Sequence, residues 1–308
     1  MTTVPVSLNI DDGSPVNTFF FHDLGHRHEL LTSPALFSGF AKICERHGIK
    51  GKFSVLPMPC GLGPLNGDVH LLPKRNQNLF LKTVRERIQP RFSITPELLT
   101  HFQAYNPRTD RLRHICEDEF VSRANAEEIA EYIRLGLRIL TAVGLNPTGV
   151  TSPWRTGLDN EDNYAKGIGM AYRRELGRDR CFYFLHSRDE LTRPKVMCDS
   201  EETGRVVSVP VNCFDPFWDT QLPATEAAAR RKARQNIDAL LSPDGRTGKV
   251  RELFEAGLPI TLITHCQSLF SDGRFVGLDG LDELAGRINR VFGRQVEWVT
   301  FAELADQA

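Results

Sequence analysis

The chain has 308 residues, of which 41% are hydrophobic and 25% charged, enough apolar content for a core the size of one barrel domain. Its 38 basic and 39 acidic residues leave a net charge of −1, which excludes the strong field expected of a nucleic-acid or anionic-membrane binder. The expected partner is a small molecule or a carbohydrate, and the oligomeric state is left open.

The segment Met-Thr-Thr-Val-Pro-Val runs straight into a strand, without the basic stretch and apolar core of an export signal, and no apolar run reaches membrane-spanning length. The seven cysteines (Cys44, Cys60, Cys116, Cys181, Cys198, Cys213, Cys266) are odd in number and form no Cys-x-x-Cys pair. That argues against a disulfide framework and a structural zinc site, and the expected location is the cytoplasm, with reduced thiols.

A first apolar strand is predicted over residues 6–10. Ser33 as cap and Pro34 at the first helical position then open a helix that buries Leu36, Phe37, Phe40, Ile43 and Cys44 and stops at Gly48. Strand 52–56 follows, then a Gly-, Pro- and Asn-rich loop over 57–78, whose length suggests a functional segment above the site. A helix near 79–88 leads to strand 92–95. Asn125 with Glu128 resembles a capping box for a helix presenting Ile129, Ile133, Leu137 and Leu140 and ending at Gly144. Strand 150–152, a helix over 160–176, strands 181–185 and 206–211, helices over 224–241 and 247–256, and strand 260–264 come next. A helix with Leu281, Leu284, Ala285, Ile288, Val291 and Phe292 on one face ends at Gly293, before a last strand over 296–301. This alternation implies an α/β protein, expected as one domain over 1–308 and closing into a distorted (β/α) barrel of seven or eight strands, with an open doubly wound sheet as the alternative.

Chemistry-bearing residues fall just after the strands, where the loops of a barrel converge: Asp11 and Asp12, His101, Arg155, His186, Asn212, Asp215 and His265. Adjacent carboxylates on an extended backbone point apart, so Asp11 and Asp12 can divide metal binding from proton handling. The same Asp-Asp-Gly also suits an Asx turn, and Gly13 permits a sharp turn or close approach of a ligand. His265 ends an apolar strand, so it must pair or face a cavity. Trp154, Phe214, Phe217 and Trp218 could stack on a sugar or cap the core.

Leu8-Asn9-Ile10-Asp11-Asp12-Gly13-Ser14-Pro15 resembles the Thr-Phe-Asp-Asp-Gly-Pro segment of the polysaccharide deacetylases, the NodB-like metal-dependent esterases and amidases with a distorted (β/α) barrel. Gly48 to Val55 is similar to that family's second strand, Glu97-Leu98-Leu99-Thr100-His101 to the approach to the first histidine of its metal motif, Ser152-Pro153-Trp154-Arg155 to its Arg-Pro segment, and Leu262-Ile263-Thr264-His265 to its late Leu-x-x-His. The resemblance spans nearly the whole chain. It implies that Asp11 is the general base, Asp12 and His101 are metal ligands, His265 is the general acid, and Arg155 orients the base or the substrate.

The implied chemistry is hydrolysis of an amide or ester, with a divalent ion, zinc by its carboxylate and imidazole donors, activating water. The family's second motif histidine falls at Tyr105, so a third ligand must come from elsewhere; His22, His26 and His114 are the candidates. Two other readings stand beside this one. In the first, Asp11 or Asp12 pairs with a distant carboxylate such as Asp215 in a metal-independent barrel glycosidase. In the second, the chain is a non-catalytic carbohydrate-binding protein that has lost its metal site.

Overall fold

The computed structural model describes residues 3–22, 28–186 and 192–308. Strands β1 (Val4–Asp11), β2 (Gly51–Val55) and β3 (Phe92–Pro96) are followed by a hairpin, β4 (Gln103–Asn106) and β5 (Arg111–Cys116). Then come β6 (Gly149–Thr151), β7 (Arg180–Phe184), β8 (Lys195–Ser200), β9 (Gly204–Ser208), β10 (Ile260–His265) and β11 (Val296–Trp298).

Parallel pairing runs β10-β1-β2-β3, with β11 also on β1, and a second sheet runs β6-β7-β9-β8, with only β8 antiparallel. Two joins arrange the halves in barrel order. Isolated bridges Ile94↔Pro147 and Glu97↔Thr151 link β3 to β6. After β9, Asn212 clasps β10, accepting from Thr261 N at 3.0 Å and donating to Pro259 O at 2.7 Å. Seven strands, β1, β2, β3, β6, β7, β9 and β10, thus form a distorted (β/α) barrel, as the sequence pattern predicts.

Helices cover the outside where their caps and apolar stripes place them. Ser33 Oγ accepts from Ala35 N at the start of helix Pro34–His47, and Gly48 closes it at φ 70°. The Asn125–Glu128 capping box is present, and helix Ala126–Ala142 buries Ile129, Ile133, Leu137 and Leu140. Three expectations fail. The last strand stops at Trp298, because Thr300 and Glu303 form a capping box that starts helix Phe301–Ala305. The helix foreseen near 79–88 begins earlier, at Lys74, and continues through a π turn over Val84–Ile88. The 57–78 segment does not line the cavity that holds Asp12; Met58 N and Cys60 N donate to Leu99 O and Thr100 O, so it buttresses the His101 loop from behind.

All seven cysteines are free. Among the described residues no helix is long and apolar enough to cross a membrane.

Candidate active site

Asp12 leaves β1 in the left-handed region at φ 60°, and Leu98, His101 and Trp154 share that conformation at 42°, 49° and 50°. Such backbone is uncommon outside glycine and tends to gather at functional sites. Gly13 is required by packing: a Cβ there would lie 1.9 Å from Ser54 O, so only glycine lets the chain pass β2 while Asp12 turns inward.

Asp12, Glu97 and His101 offer one donor atom each within 4.8 Å of one another, all three buried. His101 Nε2 lies 3.1 Å from Asp12 Oδ1 and 3.6 Å from Glu97 Oε1. Ligands at ~2.0–2.1 Å around a tetrahedral ion are roughly 3.3 Å apart, so this spacing suits a single cation. The groups behind the trio fix its aim. Glu97 Oε2 accepts from Asp12 N at 2.7 Å and Ser54 Oγ at 2.6 Å, leaving Oε1 toward His101. Glu117, also buried, accepts from the backbone N–H groups of Leu99, Thr100 and His101 and from Tyr132 Oη at 2.7 Å, holding the loop in its left-handed turn. Asp12 Oδ1 is buried and makes no hydrogen bond within the described residues. Burial and the neighbouring Asp12 charge push Glu97 up to about 8. Burial alone would lower His101, but Asp12, Glu97 and Glu117 outweigh it and raise it. An excess of buried negative charge around an unbonded carboxylate oxygen fits a cation.

Glu97 thus completes a cluster of three possible donors, four residues before His101. The family motif has its partner histidine four residues after His101, where this chain has Tyr105; Tyr105 bonds to Asp110 in the hairpin and lines a separate cleft of about 640 Å³. His114 is exposed on β5 and does not line the cavity that holds the trio. His26 and the side chain of His22 lie outside the described residues.

The parallel register sets Asp11 beside His265. Asp11 is fully buried, with Oδ1 bonded to Lys52 Nζ and Oδ2 accepting from Asn9 Nδ2 at 3.1 Å. Burial favours its neutral form, yet Lys52 and then His186 prevail and hold it far below the usual carboxylate range. Lys52, itself fully buried, also donates to Thr151 Oγ1 at 2.5 Å. Asp11, His186 and His265 form a second cluster of possible donors, but Lys52 already supplies the countercharge there.

His265 Nδ1 lies 2.8 Å from Asp215 Oδ2, which also accepts from Ser268 Oγ at 2.8 Å. Burial opposes protonation of His265, but the Asp215 hydrogen bond and charge, with Asp12 and Asp11 beyond, push it up to about 9. With both its oxygens engaged, Asp215 serves His265 and does not line the cavity. The cavity, about 310 Å³, brings Asp12, Glu97 and His101 together with His186 and His265. Phe19, Trp154 and Trp218 complete its wall, and Arg155 is exposed at its edge. Phe217 is core, while Phe214 is exposed outside the lining. Three residues that matter here, Glu97, Glu117 and Lys52, escaped the sequence reading, although a lysine inside a buried strand is itself a signal of a required partner.

No protein-family model and no curated protein matches the chain. Solved structures do. A protein described as a probable polysaccharide deacetylase from Pseudomonas aeruginosa PAO1 superposes with a TM-score of 0.55 at 12% identity, covering 98% of this chain and 89% of its own. Puue allantoinase gives 0.54 at 12%, with 98% and 89% covered. A family 57 glycoside hydrolase, the branching enzyme of Thermococcus kodakaraensis, gives 0.51 at 13%, with 100% and 71% covered. The chain has the fold of the polysaccharide deacetylases.

Proposed function

We propose that the protein is a cytoplasmic, divalent-metal-dependent hydrolase that removes an acyl group, by amide or ester cleavage, from a carbohydrate or a small amide. The observation that carries this reading is the Asp12, Glu97 and His101 trio sharing one cavity with the Asp215–His265 pair. A zinc ion held by the trio would polarise the acyl carbonyl and acidify water. His265, kept protonated by Asp215, donates to the departing nitrogen or oxygen. Proton acceptance belongs to the Asp11 side of the cavity. Trp154, Trp218 and Phe19 offer ring faces and edges to a sugar. Because Lys52 already pairs with Asp11, Arg155 is assigned to the substrate rather than to the base.

The deacetylase-described and allantoinase structures, which share this fold, support C–N hydrolysis on such a scaffold. A metal-free glycosidase finds less support, since Asp215, the partner carboxylate it would most readily use, is engaged by His265 and Ser268.

The test is elemental analysis of protein purified with zinc, repeated on Asp12→Ala, Glu97→Ala and His101→Ala, with acetate release from N-acetylated chito-oligosaccharides measured in parallel. One zinc per wild-type chain, lost in all three variants together with chelator-sensitive acetate release, is expected. Metal content unchanged in the variants would end the ligand assignment.

A further inference from the structure

Asp11 does not line the cavity beside which it sits; both its oxygens are taken by Lys52, Asn9 and His186. His186 does line it, with 23% of its side chain exposed and Nε2 3.3 Å from Asp11 Oδ2. Its ring stacks against that of His265, centroids 6.0 Å apart and planes within 14°. Two carboxylate–imidazole pairs, Asp11–His186 and Asp215–His265, therefore stand side by side at the cavity.

We infer that His186 is the group that takes the proton from the attacking water, with Asp11 as its positioning carboxylate; this rests on the hydrolase reading above. An imidazole whose Nε2–H is held by a fixed carboxylate presents its Nδ1 lone pair as the base, the logic of a base oriented by a third group. Lys52 and Asn9 anchor Asp11 and so fix the ring that Asp11 holds. A water proton passes to His186 Nδ1 while the water oxygen's electron pair bonds to the acyl carbon. The tetrahedral carbon then expels the amine or alcohol, whose electron pair takes the proton carried by His265. His186 returns its proton to solvent and His265 regains one, so water is the only co-reactant. The two imidazoles divide acceptance and donation because their carboxylates differ: Asp11 is bonded to an ammonium, whereas among the described residues Asp215 bonds His265, Ser268 and the Phe217 N–H.

The test combines spectroscopy with kinetics on the zinc-loaded protein. In ¹⁵N-histidine-labelled protein at neutral pH, the His186 signals, assigned by their absence in His186→Gln, are expected to report a neutral ring protonated on Nε2, and this preference is expected to weaken in Asp11→Asn. A doubly protonated ring, or one protonated on Nδ1, would overturn the assignment. With N-acetylated chito-oligosaccharides, His186→Gln is expected to lower kcat by about 100-fold or more with KM little changed. His186→Gly is expected to regain part of the loss when free imidazole is added. A kcat within about fivefold of wild type, or no recovery with imidazole, would also refute the role. If wild-type protein neither retains zinc nor releases acetate, the hydrolase reading has failed, whereas the tautomer measurement still decides whether Asp11 and His186 are paired.

Discussion

Replacing Lys52 by methionine tests the electrostatics behind the site without reference to any substrate. Lys52 and Asp11 are both fully buried and directly paired, and the ammonium also bonds Thr151. Truncating one partner of a buried ion pair leaves the other charge without compensation, which costs about 3–5 kcal/mol. For a chain of this size each kcal/mol moves the melting temperature by roughly 1.5 °C, so metal-free Lys52→Met should melt about 5–8 °C below wild type. The double variant Asp11→Asn/Lys52→Met removes both charges and should recover most of that loss, a coupling on the order of 2 kcal/mol or more. Thermal and urea unfolding of the four proteins in the cycle measure it. A Lys52→Met loss below about 1 kcal/mol, or a double variant no more stable than the single, would refute the view that this pair is a mutually dependent buried unit.

Other substitutions probe the remaining groups. His265 titrates near 9 when folded against an ordinary 6.5, so the stability from its charged form is complete below pH 6.5 and is lost as pH rises through 9. Urea midpoints should therefore fall across that window in wild type and change less in Asp215→Asn; an unchanged slope would reject Asp215 as the cause. Glu97→Gln should weaken zinc at least tenfold in competition with a chromophoric chelator, yet leave the metal-free protein no less stable, because burial and the Asp12 charge already disfavour an ionised Glu97. Equal zinc affinity would remove Glu97 from the donor set. Glu117→Ala strips three backbone N–H groups of their acceptor and should cost several kcal/mol, about 1–3 for each stranded donor, visible in the melting temperature. Gly13→Ala should give protein that fails to fold or melts far lower, read by circular dichroism, because its methyl would meet a β2 carbonyl.

The barrel strands were readable because each is a short apolar run bounded by helix caps, and a cap such as Asn125 with Glu128 is a local event that sequence records directly. The Thr300–Glu303 box was equally local, and it explains why β11 ends early. Elements without a fully buried residue were missed: β5 and β8 mix exposed and half-buried positions, with the half-buried Ile115, Val196, Met197 and Cys198 touching the core beside more polar neighbours. Asp11, Asp12, His101 and His265 could be picked out because they follow strands that converge. Glu97 could not be told from an ordinary strand-end acid, since its meeting with His101 depends on two left-handed residues, Leu98 and His101, rather than on helical periodicity. Asp215 was visible as a candidate, but its engagement with His265, 50 residues away, is a product of folding alone.

The join between β3 and β6 consists of isolated bridges rather than a continuous ladder. Asp12, Glu97 and His265 belong to one side of that join, and Trp154 and His186 to the other. A small slip along it would change the gap between the two sets of side chains while breaking few main-chain bonds. Thr151, gripped by Thr95 and by the long arm of Lys52, is the stitch that limits such a slip, so a lysine that never meets the substrate would govern how far the walls can separate.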